Sequence, residues 1–320
     1  MSSAGNCSNR SAERPACGDS ALSFSFVKVA LLGSVFAVAA VGNALLLCAL
    51  WRKRRRNTRS QMFLLHLSLA DLLLALCQVL PQLSVEISRR SWGSELACRA
   101  VRYLQVVGMF SCTYTTVAMS VDRYHAACRP AVSFFRGSCR RYMALGAAWT
   151  LSFAFSSPQL FAGQPAPHCW ATFVEPWGDR GNVTWLAVSA FVLPVAVLLF
   201  CQVRMCRGIY WTRRRRALQS AGGDARTGGR GASSATLKTV KMTGALVALY
   251  AVCWGPFFAL QLWTAWSPAS APADVRQTCN GGGCCVSASF FAHKWSTFGI
   301  IMLLASLNSC TNPWIYLYYS

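Results

Sequence analysis

Long apolar stretches separated by short polar and basic ones run the length of the chain. Val27 to Leu50 is nearly unbroken, with Lys28 close to its outer edge. At about 1.5 Å of rise per residue, a helix of that length crosses a hydrocarbon core of roughly 30 Å. The same pattern predicts spans at Met62 to Val85, Arg99 to Cys128, Tyr142 to Ala162, Trp185 to Cys206, Thr239 to Trp263 and Trp295 to Tyr318. The predicted fold is therefore all-α, a seven-transmembrane helix bundle with its termini on opposite sides. Residues 1–26 form an outer tail, 27–318 the bundle, and 319–320 a short inner end. Within the bundle, 217–237 reads as a flexible inner loop, because Ala221 to Ser234 is rich in Gly with Ser and Arg. Residues 267–294 read as a long outer loop.

Composition agrees with this reading: 54% hydrophobic and 13% charged residues is too apolar for an ordinary water-soluble surface. Charge then orients the bundle, since inner loops retain Lys and Arg. Arg52, Lys53, Arg54, Arg55, Arg56 and Arg59 follow the first span. Arg129, Arg136, Arg140 and Arg141 follow the third, and Arg204, Arg207 and Arg213 to Arg216 follow the fifth. Basic clusters beside span ends explain the net charge of +21 as anchoring to anionic membrane lipid, and no nucleic-acid partner is expected. The opposite side holds three glycosylation sequons, at Asn6, Asn9 and Asn182, so the amino terminus is expected outside the cell, with the plasma membrane as location. No cleavable signal precedes the first span.

Cys98, at the outer end of the third span, and Cys169, in the second outer loop, are the pair expected to be oxidised, pinning that loop over the bundle mouth. With Cys7, Cys17, Cys279, Cys284 and Cys285 the outer cysteines number seven. That odd count leaves a thiol to stay free, pair between molecules or be modified. Cys48, Cys77, Cys112, Cys201, Cys253 and Cys310 read as packing residues. The Cys279 to Cys285 cluster with His293 lacks the paired spacing of a zinc site, so no metal beyond a sodium ion is expected.

Polar groups inside spans are expensive and therefore informative. Asn43, Asp71 and Asn312 stand in spans one, two and seven, with Asn308 and Ser309 a turn before Asn312. An ionised carboxylate there needs a counter-charge; alternatively these groups only tie helices together. Asp122-Arg123-Tyr124 ends the third span, and Asn312-Pro313-Trp314-Ile315-Tyr316 ends the last. Pro256, beside Trp254 and Phe257, removes a helical hydrogen bond and kinks the sixth span. A terminal ion pair, a kinked sixth span and an Asn-Pro break belong together in a bundle that moves between two packings. No acidic residue lies around Thr236, so no salt bridge from Arg123 to the sixth span is expected. In the outer halves stand Gln78, Gln82, Gln105, Gln159 and Gln261, with Arg102 a turn above Gln105. Uncharged amides suit the carbonyls and amides of a peptide better than an ammonium or a phosphate.

These motifs together resemble the rhodopsin-like, G-protein-coupled receptors. Gln78-Val79-Leu80-Pro81-Gln82-Leu83, Cys98-Arg99-Ala100-Val101-Arg102-Tyr103-Leu104-Gln105, Ser157-Pro158-Gln159-Leu160-Phe161, Cys169-Trp170, Glu175-Pro176-Trp177-Gly178, Pro256-Phe257-Phe258 and Ala305 to Tyr316 resemble the vasopressin and oxytocin receptor family more narrowly. Arg129-Pro130, Cys201-Gln202-Val203, Lys238 to Thr243 and Gln261-Leu262-Trp263 look most like its antidiuretic, type-two branch. The resemblance implies a cyclic nonapeptide hormone held by Gln78, Gln82, Arg102, Gln105, Gln159, Gln261, Glu175, Trp254 and Phe257. It implies a heterotrimeric G protein engaged through Asp122, Arg123, Tyr124, Pro256, Asn312, Pro313 and Tyr316, with stimulatory coupling and cyclic AMP. It also implies a water and allosteric sodium site at Asp71, Asn308, Ser309 and Asn312 that collapses on activation, and no other cofactor.

The departures from that family are also expectations. Lys28 stands where the family usually places a glutamate, and Arg89 and Arg90 crowd the first outer loop, leaving Glu95, Glu175 and Asp179 to meet a basic hormone side chain. Replacing Lys28 by Glu is then expected to favour an arginine-bearing hormone over a neutral analogue. The chain ends at Tyr318-Tyr319-Ser320 without the family's inner amphipathic helix and phosphorylatable tail, which predicts weakened arrestin recruitment. Phospholipase C and calcium coupling, or a nonsignalling receptor-like protein, are the alternatives. No enzyme constellation is present: four histidines are scattered, and no Ser or Cys has an evident base beside it.

Overall fold

Seven helical rods make up the described part of the molecule, a computed structural model that describes residues 16–52, 59–88, 95–128, 137–161, 178–220, 230–267 and 303–319. We label them α1 (Ala16–Arg52), α2 (Arg59–Leu74, a π turn at Ala75–Val79, then Leu80–Ser88) and α3 (Glu95–Cys128). α4 is Gly137–Ser156 closed by a 3₁₀ turn at Ser157–Leu160, and α5 is Gly178–Ala187, a π turn at Val188–Val192, then Leu193–Ser220. α6 is Arg230–Trp266, and α7 covers 303–319. Among the described residues there is no strand. Hydrocarbon offers no partner for backbone amides, so each segment satisfies its own as a helix.

Five rods are long and apolar enough to cross a membrane by length and composition alone: Phe26–Arg52, Gln61–Ser88, Leu96–Cys128, Arg180–Arg215 and Leu237–Trp266. α4 is diluted by Gly, Ser, Thr and Trp, and the described part of α7 is short. Residues such as Leu31, Val38, Val41 and Leu45 on α1 and Leu193, Val197, Phe200 and Val203 on α5 are exposed. A lipid-facing surface requires this, since lipid tails are as apolar as the side chains.

α3 is the central rod, packed against α2, α4, α5 and α6. The closest approach falls where a Cβ on Gly108 would stand 3.1 Å from the Leu74 Cα, so only glycine lets α2 lie that near. The main core joins Leu67 and Leu74 of α2, Phe110 of α3, Leu198 of α5, Tyr250, Trp254 and Phe258 of α6 and Ala305 of α7. A second core joins Leu32 and Val35 of α1, Val79 of α2 and Cys310 of α7.

Both π turns end just before a proline, Pro81 in α2 and Pro194 in α5. The amides of Leu80 and Leu193 reach back five residues, to the carbonyls of Ala75 and Val188. Proline supplies no N–H and pushes away the carbonyl four residues earlier, and the widened turn absorbs the mismatch. α5 also runs to Ser220 and α6 begins at Arg230, so both helices enter the segment read from sequence as a flexible loop. Basic residues such as Arg213 to Arg215 lie exposed beyond the apolar length, and no Gly or Pro interrupts Trp211–Ser220.

Candidate functional site

Three polar constellations lie along the bundle. In the middle, Asp71 is fully buried. The Asn312 amide donates to its Oδ2 at 2.8 Å and the Cys112 thiol to its Oδ1 at 3.2 Å. Ser309 approaches the same carboxylate, although its hydroxyl completes no hydrogen bond among the described residues. Asn43, also fully buried, donates to the carbonyls of Ala39 and Ser309 at 2.9 Å each, leaving its Oδ1 without a partner among the described residues. The structure thus brings Asp71, Ser309 and Asn312 together, with Asn308 buried a turn away. Cys112, read from sequence as packing, is a further member, because its thiol is one of the two groups donating to Asp71.

Between this centre and the outer halves of the rods lies a relay not evident from the sequence. Pro194 displaces the Ala190 carbonyl from its helical partner, and the Tyr250 hydroxyl of α6 donates to that carbonyl. The Tyr250 Oη also lies 3.0 Å from the Thr113 Oγ1 of α3. One phenol therefore joins α3, α5 and α6. Phe191 stacks on Tyr250 and on Phe258, at centroid distances of 6.2 and 5.5 Å. Trp254 packs against Phe257 at 5.7 Å and Phe258 at 5.9 Å, one turn above the relay and beside Pro256.

At the inner end Asp122 and Arg123 are both buried. Asp122 is within electrostatic reach of Arg123, and it also faces Arg140 of α4, with Nη2 3.9 Å from Oδ1. Tyr124 leans on Phe200 of α5 at 6.2 Å. α6 carries no Asp or Glu over its whole length, so it offers Arg123 no acidic partner. Its inner half is tied to α5 by a neutral bond instead, from the Gln202 amide to the Val240 carbonyl at 3.1 Å. That contact requires Gly244, where a Cβ would stand 2.7 Å from the Gln202 Nε2.

The outer halves hold the amides. Gln78 and Gln159 are buried, while Gln82, Gln105 and Gln261 are half-buried. Gln159 donates to the Asn182 Oδ1 at 2.8 Å, so at least one of the five has a partner within the bundle. The same sequon is engaged again at Thr184, which accepts from the Trp266 indole at 3.1 Å and donates to the Arg180 carbonyl at 2.7 Å. Arg102 is the exceptional group: its Nε, Nη1 and Nη2 are all buried and make no hydrogen bond among the described residues. Burying a guanidinium in this way costs several kcal/mol unless an acceptor arrives.

Cys98 is disulfide-bonded. Cys169 and Glu175 lie outside the described residues, as do Asn6 and Asn9. One pair was not anticipated from sequence: Lys28 Nζ of α1 meets Glu86 Oε1 of α2 at 3.5 Å.

Residues 42–316 match the model of the seven-transmembrane receptors of the rhodopsin family. The chain is 42% identical over 311 residues to a dog (Canis lupus familiaris) vasopressin V2 receptor, covering 92% of this chain and 78% of the relative. It is 41% identical to the pig (Sus scrofa) receptor of the same name, covering 92% and 79%. With the human (Homo sapiens) vasopressin V2 receptor it shares 41% identity over 331 residues, covering 98% and 83%.

Proposed function

Because the chain belongs to the rhodopsin family of seven-transmembrane receptors, and within it to the vasopressin receptor type, we propose that it is a plasma-membrane receptor for a vasopressin- or oxytocin-type cyclic nonapeptide. It signals through the stimulatory G protein, adenylate cyclase and cyclic AMP. It is not an enzyme. Its amino terminus faces outward, and its basic inner ends meet anionic lipid and the G protein.

The observation that carries this reading is Arg102. A guanidinium with three buried nitrogens that have no partner among the described residues, above Gln105 and among half-buried glutamines, fits the turn carbonyls of a small peptide ring. An ammonium ligand would be repelled there, and a lipid tail would leave the cation unpaired. The ring's apolar side then rests on Phe257 and Trp254. Those rings pack through Phe258 and Phe191 onto Tyr250, so pressure at the cavity floor reaches the α3–α5–α6 relay beside the Pro256 kink. With no ion pair holding Arg123 to α6, an outward swing of the inner half of α6 breaks the neutral Gln202–Val240 bond and admits the G protein to Arg123.

The central site also suits the sodium ion that the family implies. A hard cation takes oxygen ligands, and the Asp71 carboxylate, the Asn43 Oδ1 and the Ser309 hydroxyl are oxygens, the last two without a partner among the described residues. Asp71, Ser309 and Asn43 would hold the ion, whose charge offsets the buried carboxylate. Sodium is then expected to lower agonist affinity, and Asp71→Asn to remove that dependence; a variant with unchanged sodium dependence contradicts the assignment.

The function is tested by expressing the chain with a surface tag, applying vasopressin- and oxytocin-type peptides, and reading cyclic AMP and calcium side by side. A cyclic AMP rise at nanomolar peptide is expected. Silence in both at confirmed surface expression overturns the reading.

A further inference from the structure

We infer that Asn182-Val183-Thr184 carries no glycan and serves instead as the clasp at the outer ends of α4, α5 and α6, with Asn182 a positioning residue that fixes the amide of Gln159. The affinity part of this inference rests on the peptide-receptor reading above; the glycan part does not.

The clasp begins with a buried amide. Pro158 closes α4 in the 3₁₀ turn at Ser157–Leu160, where Gln159 is only 6% exposed. An amide so buried requires a partner. Its Nε2 finds one in the Asn182 Oδ1 of α5, at 2.8 Å, and that bond turns the nitrogen end of the Gln159 side chain toward α5. Trp185, on the same face of α5 as Asn182, adds a second tie, its indole donating to the Phe155 carbonyl of α4 at 3.3 Å.

Thr184 holds the other neighbour. Successive residues of a helix are turned by about 100°, so side chains two apart point to nearly opposite faces. Asn182 thus turns to α4 while Thr184 turns to α6, where its hydroxyl accepts from the Trp266 indole at 3.1 Å. The same hydroxyl donates to the Arg180 carbonyl at 2.7 Å, and the Arg180 guanidinium lies 5.7 Å from the centre of the Trp266 ring. Both sequon side chains are therefore committed, to different helices.

A glycan acceptor has the opposite character. It belongs to a surface loop, where one enzyme reaches the amide and the hydroxyl together and the bulky product stays in water. Here both residues are helical and half-buried, just inside the Arg180–Arg215 stretch that is long and apolar enough to cross a membrane. A sugar on the Asn182 amide would crowd the contact with α4.

Aspartate at this position keeps an oxygen for the Gln159 amide and destroys the sequon, so it separates the two roles. The full chain is expressed in cells, and glycosidase-dependent gel mobility is compared for wild type, Asn182→Asp and the double variant Asn6→Gln, Asn9→Gln. Glycosidase should still shift Asn182→Asp and should leave the double variant unchanged. Nonapeptide affinity is then measured at the cell surface for Asn182→Ala and Asn182→Asp, each with and without Gln159→Ala. Asn182→Ala should weaken binding about three- to tenfold, and the conservative Asn182→Asp should recover most of that loss. On the Gln159→Ala background, Asn182→Ala should add under about twofold. A merely structural tie would lower the number of receptors at the surface and leave their dissociation constant unchanged, which overturns the positioning role. Where Asn182→Ala fails to reach the surface, Asn182→Ser, whose hydroxyl is too short to meet the Gln159 amide, should show the same loss. A glycosidase-sensitive shift in the double variant overturns the glycan part. Equal losses in Asn182→Ala and Asn182→Asp overturn the positioning part alone, whereas no peptide binding to wild type overturns that part together with the receptor reading.

Discussion

The middle and the outer half of the bundle differ most at their charged groups. In the middle, Asp71 receives Asn312 and Cys112, and the carbonyl displaced by Pro194 receives Tyr250. In the outer half, the three guanidinium nitrogens of Arg102 are buried without an acceptor among the described residues. A group satisfied within the protein holds one packing together. A group left unsatisfied lowers stability until something outside supplies its partner. On the proposed function, the donors to Asp71 and the Tyr250 bond hold one packing of the middle together, and Arg102 in the outer half awaits a ligand.

The largest effect should come from breaking the outer side of this contrast. Arg102→Ala is expected to lower nonapeptide affinity by about 10- to 100-fold, since a hydrogen bond to a charged group contributes about 1.5–3 kcal/mol. Competition binding on membranes measures it, and a loss below about threefold would place Arg102 outside the peptide site. The middle should respond oppositely. Tyr250→Phe keeps the ring and deletes the hydroxyl, so it should cost about 1–3 kcal/mol of stability by leaving the Ala190 carbonyl unpaired. A lower melting temperature of the solubilised receptor, with peptide affinity nearly unchanged, is the expected result.

The seven spans were legible in the sequence because lipid imposes one rule on every crossing segment: apolar side chains over a fixed length. Asp71 and Asn312 were legible because a carboxylate and an amide within such a segment stand out. The groups that complete these sites were not. Cys112 looks like any small apolar residue, and only the packing of α3 on α2 aims its thiol at Asp71. The partner of Tyr250 is a backbone carbonyl, invisible in side-chain patterns and freed only because Pro194 follows four residues later. Arg140 and Glu86 are ordinary charges near span ends until the rods pack and set them against Asp122 and Lys28. The helical ends of α5 and α6 were missed because hydropathy reports the membrane's thickness, and a helix that continues into water gives no such signal.

Smaller substitutions sharpen the contrast within the middle. Cys112→Ala removes the weaker of the two donors to Asp71 and should cost about 1 kcal/mol, read as a modest fall in melting temperature. Gly244→Ala should force the flexible Gln202 amide off the Val240 carbonyl, losing about 0.5–1.5 kcal/mol against the roughly 0.5–1 kcal/mol that alanine adds to a helix interior. The net change in stability should be under about 1 kcal/mol. Because the lost bond ties α5 to α6, basal cyclic AMP should rise slightly, and an unchanged basal signal would separate that bond from the swing of α6.

The contrast itself is tested most directly by the melting temperature of purified Arg102→Ala, with and without saturating nonapeptide, beside wild type. Free of peptide, the variant should be at least as stable as wild type, because a buried cation with no acceptor among the described residues has been removed. It should also lose most of the stabilisation that peptide confers on wild type through mass action. A variant that is destabilised when free, yet stabilised by peptide as strongly as wild type, would contradict the account.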